Sequence, residues 1–281
     1  MRAFYLKFSL GLILLNSPAY SQTIISGKVI DAASKESVPF ASVGIKGSRY
    51  GTACDENGNF ELKIGQFNNV DSLKIASIGY SSRSMSMAQA KNFNKEQILL
   101  KAAAVQLSEV KVKPGKIIRK KLGNSRYNNN IKCQFSGSEG NYKGAEAAIK
   151  AKNKKGRFVW IEDFSCYINQ NMFNDSISLR LNFYKEDALE LPGQNMLKKA
   201  IVFKTKVKNG VVFLNLKPYN ITAEGDFFIS LECLENKMDK DMLSFSGSIA
   251  GPAYFKLASF DDWLKSPLMG LDFNVTVSYQ K

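Results

Sequence analysis

The stretch GTACDENGNFELKI, Gly51 to Ile64, decides how the front of this chain folds. Asp55-x-Asn57-Gly58 is able to open a calcium loop or to build a turn. An EF-hand loop needs glycine at the sixth position after its first Asp and an acid at the twelfth. Here Gly58 stands fourth, and Lys63 sits where further oxygen ligands are wanted. What the stretch supplies is turn chemistry: an Asp side chain able to cap backbone amides and a glycine free to take positive φ. It therefore predicts the tip of a bulged hairpin.

Strands with period-two alternation flank that turn. Phe60, Leu62 and Ile64 share one face, as do Ala41, Val43 and Ile45, and then Leu73 and Ile75. Clusters of Gly, Asn, Asp and Ser interrupt the alternation every ten or so residues, which predicts a β-sandwich rather than βαβ units. The alternation returns later with Leu179, Leu181 and Phe183, with NGVVFLNL after an Asn-Gly turn, and with Leu271, Phe273, Val275, Val277 and Tyr279. This predicts a second antiparallel sandwich with one wet face per sheet. GAEAAIKAK, which has helical propensity, stands just before GRFVWIEDFSCYI and is read as a first strand.

The front motifs resemble a known family. Gly27-x-Val29-x-Asp31, the strand entry Pro39-Phe40-Ala41-Ser42-Val43, Gly51-Thr52, Asp55-x-x-Gly58-x-Phe60, the Ile78-Gly79-Tyr80 turn and the closing Leu107-x-Glu109-Val110-x-Val112 are similar to the carboxypeptidase regulatory-like, transthyretin-like domain common in secreted and outer-membrane proteins of Bacteroidetes. The resemblance covers residues 24–112 and implies a Greek-key sandwich of about seven strands that serves as a non-catalytic accessory module. The later strand order resembles jelly-roll carbohydrate-binding-type domains. The expected fold is thus all-β, a transthyretin-like sandwich followed by a jelly-roll-like one. Residues 1–21 are expected to be a signal peptide, 22–112 the regulatory-like domain, 113–140 a basic connector and 141–281 the second sandwich.

The leader expectation rests on Arg2 and Lys7 ahead of an apolar run from Phe8 to Leu15, then small residues at Ala19 and Ser21. No stretch reaches the ~20 apolar residues of a spanning helix, so no transmembrane span is expected. Cys54, Cys133, Cys166 and Cys233 match neither CxxC nor zinc-ribbon spacing. Cys233 shares an alternating face with Phe227, Ile229 and Leu231, so a buried thiol competes with three possible disulfide pairings. The chain has no histidine. That removes Ser-His-Asp and Cys-His catalysis and His-bearing zinc or iron sites, and no cofactor or metal is expected.

The net charge is +14, but residues 113–156 hold 12 basic and only 2 acidic residues. Lys116, Arg119, Lys120 and Lys121 in this run are the expected contacts for a polyanion, with a solvated linker as the plain alternative. Nucleic acid is not an expected partner, because the run lacks interleaved aromatics for stacking. Trp263, Trp160, Tyr254 and Tyr219 are the candidate rings for stacking on sugar. The acidic pairs Glu186-Asp187 and Asp261-Asp262 are neighbours in sequence, so on a strand each pair splits to opposite faces and makes no dyad. Three Asn-x-Ser/Thr matches, at Asn174, Asn220 and Asn274, matter only in a eukaryotic secretory route.

These readings combine into an expectation of a secreted, non-enzymatic protein of the periplasm or outer membrane. In it an accessory sandwich accompanies a binding sandwich for surface glycan or an anionic envelope polymer. The alternatives are a structural component docking onto an outer-membrane protein, and a carboxylate-only glycoside hydrolase.

Overall fold

The structure, a computed structural model, describes residues 23–65, 67–68, 71–90, 94–103, 115–125, 127–128, 130–135, 137, 142–235, 242–249 and 251–281. The expected leader and the motif at 107–112 lie outside the described residues. Among those described, the chain is nearly all strand, and no helix is long and apolar enough to cross a membrane.

The amino-terminal body holds β1 (Thr23–Asp31), β2 (Ser42–Ile45), β3 (Gly51–Ala53), β4 (Asn59–Ile64), β5 (Ser72–Ala76), β6 (Arg83–Ser86) and β7 (Asn94–Leu100), with one helical turn, α1 (Met87–Ala90). These form a three-stranded sheet, β4-β1-β7, and a four-stranded sheet, β3-β2-β5-β6. The alternating apolar faces meet between them: Ile25 and Val29 with Phe60, Leu62 and Ile64 from one sheet, Val43, Ile45, Leu73 and Ile75 from the other. Each such side chain removed from water is worth about 1.5–3 kcal/mol.

The turn that opened the sequence uses the expected chemistry in a different place. Asp55 Oδ1 accepts the backbone N–H groups of Asn57 at 2.9 Å and Asn59 at 2.8 Å, and Gly58 takes φ +77°. The flanking strands do not pair with each other, however. β3 pairs with β2, and β4 pairs with β1, so the turn is a corner between two sheets rather than a hairpin tip. Locally the two look alike. The difference is set by tertiary pairing, including Val29 N–H to the Gly58 carbonyl at 2.8 Å.

The second body is larger. It contains β8 (Ile117–Gly123), β9 (Lys132–Cys133), β10 (Glu146–Ala151), β11 (Phe158–Asn171), β12 (Ile177–Glu186), β13 (Pro192–Asn195), β14 (Ile201–Thr205), β15 (Gly210–Asn215) and β16 (Ile221–Glu224). Then come β17 (Phe227–Cys233), β18 (Leu243–Ser248), β19 (Ala253–Lys256), β20 (Leu264–Ser266), β21 (Gly270–Leu271) and β22 (Phe273–Gln280). One sheet runs β13-β12-β17-β10-β19-β20, with β14 also on β12. The other runs β21-β18-β11-β22-β8, with β15 and β16 on β11 and β9 on β18. Leu179, Leu181, Phe183, Ile229 and Leu231 of the first face Phe164, Ile168, Phe273, Val275 and Val277 of the second. GAEAAIKAK supplies strand β10, flanked by β17 and β19.

Two expectations change here. The run read as a basic connector, 113–140, contains β8, which pairs with the last strand from Ile117↔Gln280 to Gly123↔Asn274. Its lysines hide a strand whose apolar member, Leu122, points into the core. The first sheet is also not wet on one side. β17 is buried at all seven positions: on its outer face Phe228 packs with Ala148, Tyr254, Tyr184 and Trp263, Ser230 binds Glu146, and Glu232 lies under Arg180, on which the amino-terminal body rests as a cover.

That cover is polar as well as close. Arg180 donates to the Phe40 carbonyl at 2.6 Å and to Ser42 Oγ at 2.9 Å. Phe40 sits at φ +56°, a conformation costly for a residue with a Cβ, at the bend whose carbonyl meets the guanidinium. Gly47 N–H reaches the Phe260 carbonyl at 3.0 Å, and Glu56 pairs with Lys204. Gly44 and Gly51 lie against the backbone of Ser259, so that a Cβ on Gly44 would come within 2.7 Å of its carbonyl oxygen and one on Gly51 would collide with it. Gly51→Ala is therefore expected to cost about 1–3 kcal/mol through overpacking between the bodies. Urea unfolding measures it, and cleavage between the two bodies by a protease should become faster.

Candidate functional site

Two polar regions are candidates. The first is the covered outer face of the first sheet, where Arg180, Glu232, Glu146 and Lys256 stand in register across β12, β17, β10 and β19. Arg180 binds Glu232 through Nε at 2.8 Å and Nη2 at 2.6 Å. Lys256 Nζ lies 2.6 Å from Glu146 Oε2. Glu146 Oε1 accepts from Ser230 Oγ at 2.5 Å, Tyr184 OH at 2.8 Å and Asn182 Nδ2 at 2.9 Å. Asn182 Nδ2 also touches Glu232 Oε2 at 3.3 Å, so one amide bridges the two acids that face each other.

Like charges directly opposite on a sheet repel, and burial makes them worse. Burial pushes Glu146 up, but Lys256 with Ser230 and Tyr184 more than offsets this and holds it below the usual carboxylate range. Burial raises Glu232, which Arg180 opposes and Glu146 reinforces. The four charges cancel, and each carboxylate is already occupied by partners. This is the chemistry of a closed ladder, since a substrate would have to displace an ion pair to reach either acid. Arg180→Ala leaves Glu232 buried without its partner and should cost about 3–5 kcal/mol by guanidinium unfolding.

The second region is open at its two ends, while Ser165 and Asn274 between them are buried. β11 turns Phe164, Cys166 and Ile168 inward and Asp163, Ser165 and Tyr167 outward. The register carries this outer face sideways. Tyr167 lies opposite Val211, Ser165 opposite Phe213 and Asn274, and Asp163 opposite Thr276. Thr276 is opposite Lys121, and Ser278 is opposite both Trp160 and Arg119. One face thus spans β15, β11, β22 and β8, about 14 Å at ~4.8 Å per strand.

Asn124, Asn128 and Ile131 fasten a loop over its centre. Asn274 Nδ2 donates to the Asn124 carbonyl at 3.3 Å, Asn128 N–H to Ser246 Oγ at 2.7 Å, and Asn169 Nδ2 to the Ile131 carbonyl at 3.2 Å. The loop places Tyr127 against Tyr167, ring centres 5.1 Å apart. Tyr167 OH donates to Asn209 Oδ1 at 2.7 Å, which fixes the ring. Tyr127, Val211 and Phe213 remain 41%, 48% and 62% exposed. At the other end Glu162, extruded by a bulge, takes Arg119 Nε at 3.0 Å and lies 3.8 Å from Lys217. Burial opposes its ionisation, but hydrogen bonds from Ser278 and Arg119 and the charges of Arg119 and Lys217 hold it low.

The residues expected from sequence fall in different places. Trp160 stands on the open face, edge-on to Phe158 at 5.0 Å. Tyr219, 37% exposed, closes a 3-10 turn (Lys217–Tyr219) between β15 and β16. Trp263 is not an open platform: it leans edge-on to Tyr184 at 5.8 Å with Lys256 Nζ 4.7 Å from its ring, covering the end of the ladder. Tyr254 is 2% exposed and packs edge-on against Phe228 at 4.9 Å, so it cannot stack on a ligand. Lys116, Arg119, Lys120 and Lys121 are all exposed on or beside β8. Sequence reading passed over Tyr127, Tyr167 and Phe213. The signal for Phe213 was present in NGVVFLNL, where Val211 and Phe213 alternate with the buried Val212.

Glu186 pairs with Lys150, and Asp187 Oδ1 caps the Leu189 and Leu191 amides at 2.9 Å. Among the described residues no three Cys, Asp or Glu side chains gather closely enough to hold a metal ion. None of the four cysteines is in a disulfide, and all are buried. Burial pushes Cys54 and Cys233 up to about 12 and Cys133 to about 11, with Cys166 raised as well. A thiol-exchange reagent at pH 8 should therefore label none of them in the native protein, and all four after denaturation.

No curated protein matches the chain. Among solved structures, the infectious bursal disease virus Gt strain is similar at 9% identity and a TM-score of 0.28, over 92% of this chain and 59% of that one. The VP2 subviral particle of infectious bursal disease virus is similar at 7% identity and a TM-score of 0.26, over 92% and 64%. The chain thus spans roughly three fifths of the length of those chains, and a likeness at these scores carries no argument. The family model described as the CarboxypepD_reg-like domain matches residues 25–112, and it is this module that the amino-terminal body carries.

Proposed function

We propose that the protein is a secreted, non-enzymatic component of the cell envelope that binds glycan on the outer face of its second sandwich. Its CarboxypepD_reg-like module acts as an accessory body clamped to the opposite sheet. The observation that carries this reading is the strip of exposed Tyr127, Val211 and Phe213 beside the half-buried Tyr167 on one sheet face. Aromatic rings held by packing and hydrogen bonding offer flat apolar area at little entropic cost, and the amides of Asn209 and Asn215 lie at its margin. The closed ladder, with both acids engaged, supports a protein that binds rather than cleaves.

A second reading is an assembly component that docks onto an outer-membrane protein. The cationic strand β8, exposed at the end of its sheet, favours it.

Binding to a glycan array separates the two. Phe213→Ala and Tyr167→Ala should each weaken retention of the bound polysaccharide about five- to tenfold, the equivalent of one stacked ring, with the melting temperature unchanged for Phe213→Ala. Absence of glycan binding, together with co-purification of an outer-membrane protein that is lost when Lys116, Arg119, Lys120 and Lys121 are neutralised, would overturn the glycan reading.

A further inference from the structure

We infer that the glycan recognised by this face is an acidic polysaccharide, reaching from the aromatic strip, past the loop pinned at Asn124 and Asn128, to a cationic rail on β8. This rests on the proposed glycan reading and adds the charge of the ligand. The geometry follows from strand parity. Leu122 points into the core opposite Val275, so on β8 the even positions turn inward and the odd positions outward. Arg119 and Lys121 therefore stand on the same face as Thr276 and Ser278, and through them on the face of Tyr167 and Phe213. Lys120, opposite the buried Val277, is directed to the other side of the strand despite being a sequence neighbour.

The face is not electrically neutral. Arg119 and Lys217 share one carboxylate, that of Glu162, while Asp163, which accepts the Thr276 amide at 3.0 Å, keeps its charge, so these four balance and Lys121 sets the sign. Lys121 adds a further exposed ammonium beside them. Phe213 on β15 and Lys121 on β8 stand three strand intervals and one two-residue step along the strands apart, about 16 Å. That span suits an extended polymer that presents ring faces at one end and anionic groups at the other. It does not suit a small ligand. Electrostatic attraction over such distances is strongly screened by salt, which gives the inference a direct readout.

The experiment compares polygalacturonate with its fully methyl-esterified form, the same sugar without charge, by affinity electrophoresis of the full chain. Polygalacturonate should bind at least tenfold tighter at low salt, and the difference should vanish at high salt. Lys121→Gln should weaken polygalacturonate binding several-fold and leave ester binding unchanged, whereas Lys120→Gln should change neither. Phe213→Ala should weaken both. Equal, Phe213-dependent binding of the two polymers would overturn the inference and leave the glycan reading standing. Binding of neither would overturn both. Equal effects of Lys120→Gln and Lys121→Gln, or tight binding of poly-L-glutamate indifferent to Phe213→Ala, would also overturn the inference.

Discussion

Arg180 is the point on which the two bodies meet. A guanidinium cannot shed its charge and carries five donors in one plane, so burying it demands acceptors on several sides. Glu232 satisfies one edge, and the Phe40 carbonyl and Ser42 hydroxyl satisfy the other. Those last two acceptors belong to the amino-terminal body. The guanidinium therefore finds acceptors on both of its edges only when the accessory module is docked. A buried charge left half-satisfied costs several kcal/mol, which makes the junction specific as well as tight.

The docking divides the labour between the two sheets of the second sandwich. One outer face is closed by the accessory module at Arg180 and by Trp263 at Lys256, and its polar side chains are spent on each other. The opposite outer face remains open at two ends, one aromatic and one cationic, with its residues arranged in rows by β-register. The same alternation that builds the core also delivers the exposed rows, because period two sends every second residue away from it. A one-residue slip of β8 would exchange Lys121 for Leu122 on the open face, so the core contact of Leu122 with Val275 also sets the position of the charge.

Much of the fold was legible in the sequence. The inward faces of β2, β4, β5, β12, β17 and β22 are those marked by alternation, and Cys233 is buried among Phe227, Ile229 and Leu231 as its spacing implied. The site was less so. Trp263 and Tyr254 drew notice because large aromatics near turns suggest exposed platforms, yet the first leans on the charged ladder and the second is buried. Tyr127 and Tyr167 are 40 positions apart and meet only because a loop is pinned across the sheet by Asn124, Asn128 and Ile131. Arg180, Glu232, Glu146 and Lys256 likewise form a ladder that no local pattern announces.

The sequence by itself determined that the chain is built of strands and which residues of the alternating strands enter each core. Those properties depend on side-chain period and on turn chemistry, both of which act within a few residues. Tertiary structure alone decided that the Asp55 turn is a corner, that the lysine-rich run contains an edge strand, and that one outer face is sealed while the other is open at two ends. Each of these depends on which strand a backbone finds as its hydrogen-bond partner, and that choice is made between segments far apart in the chain.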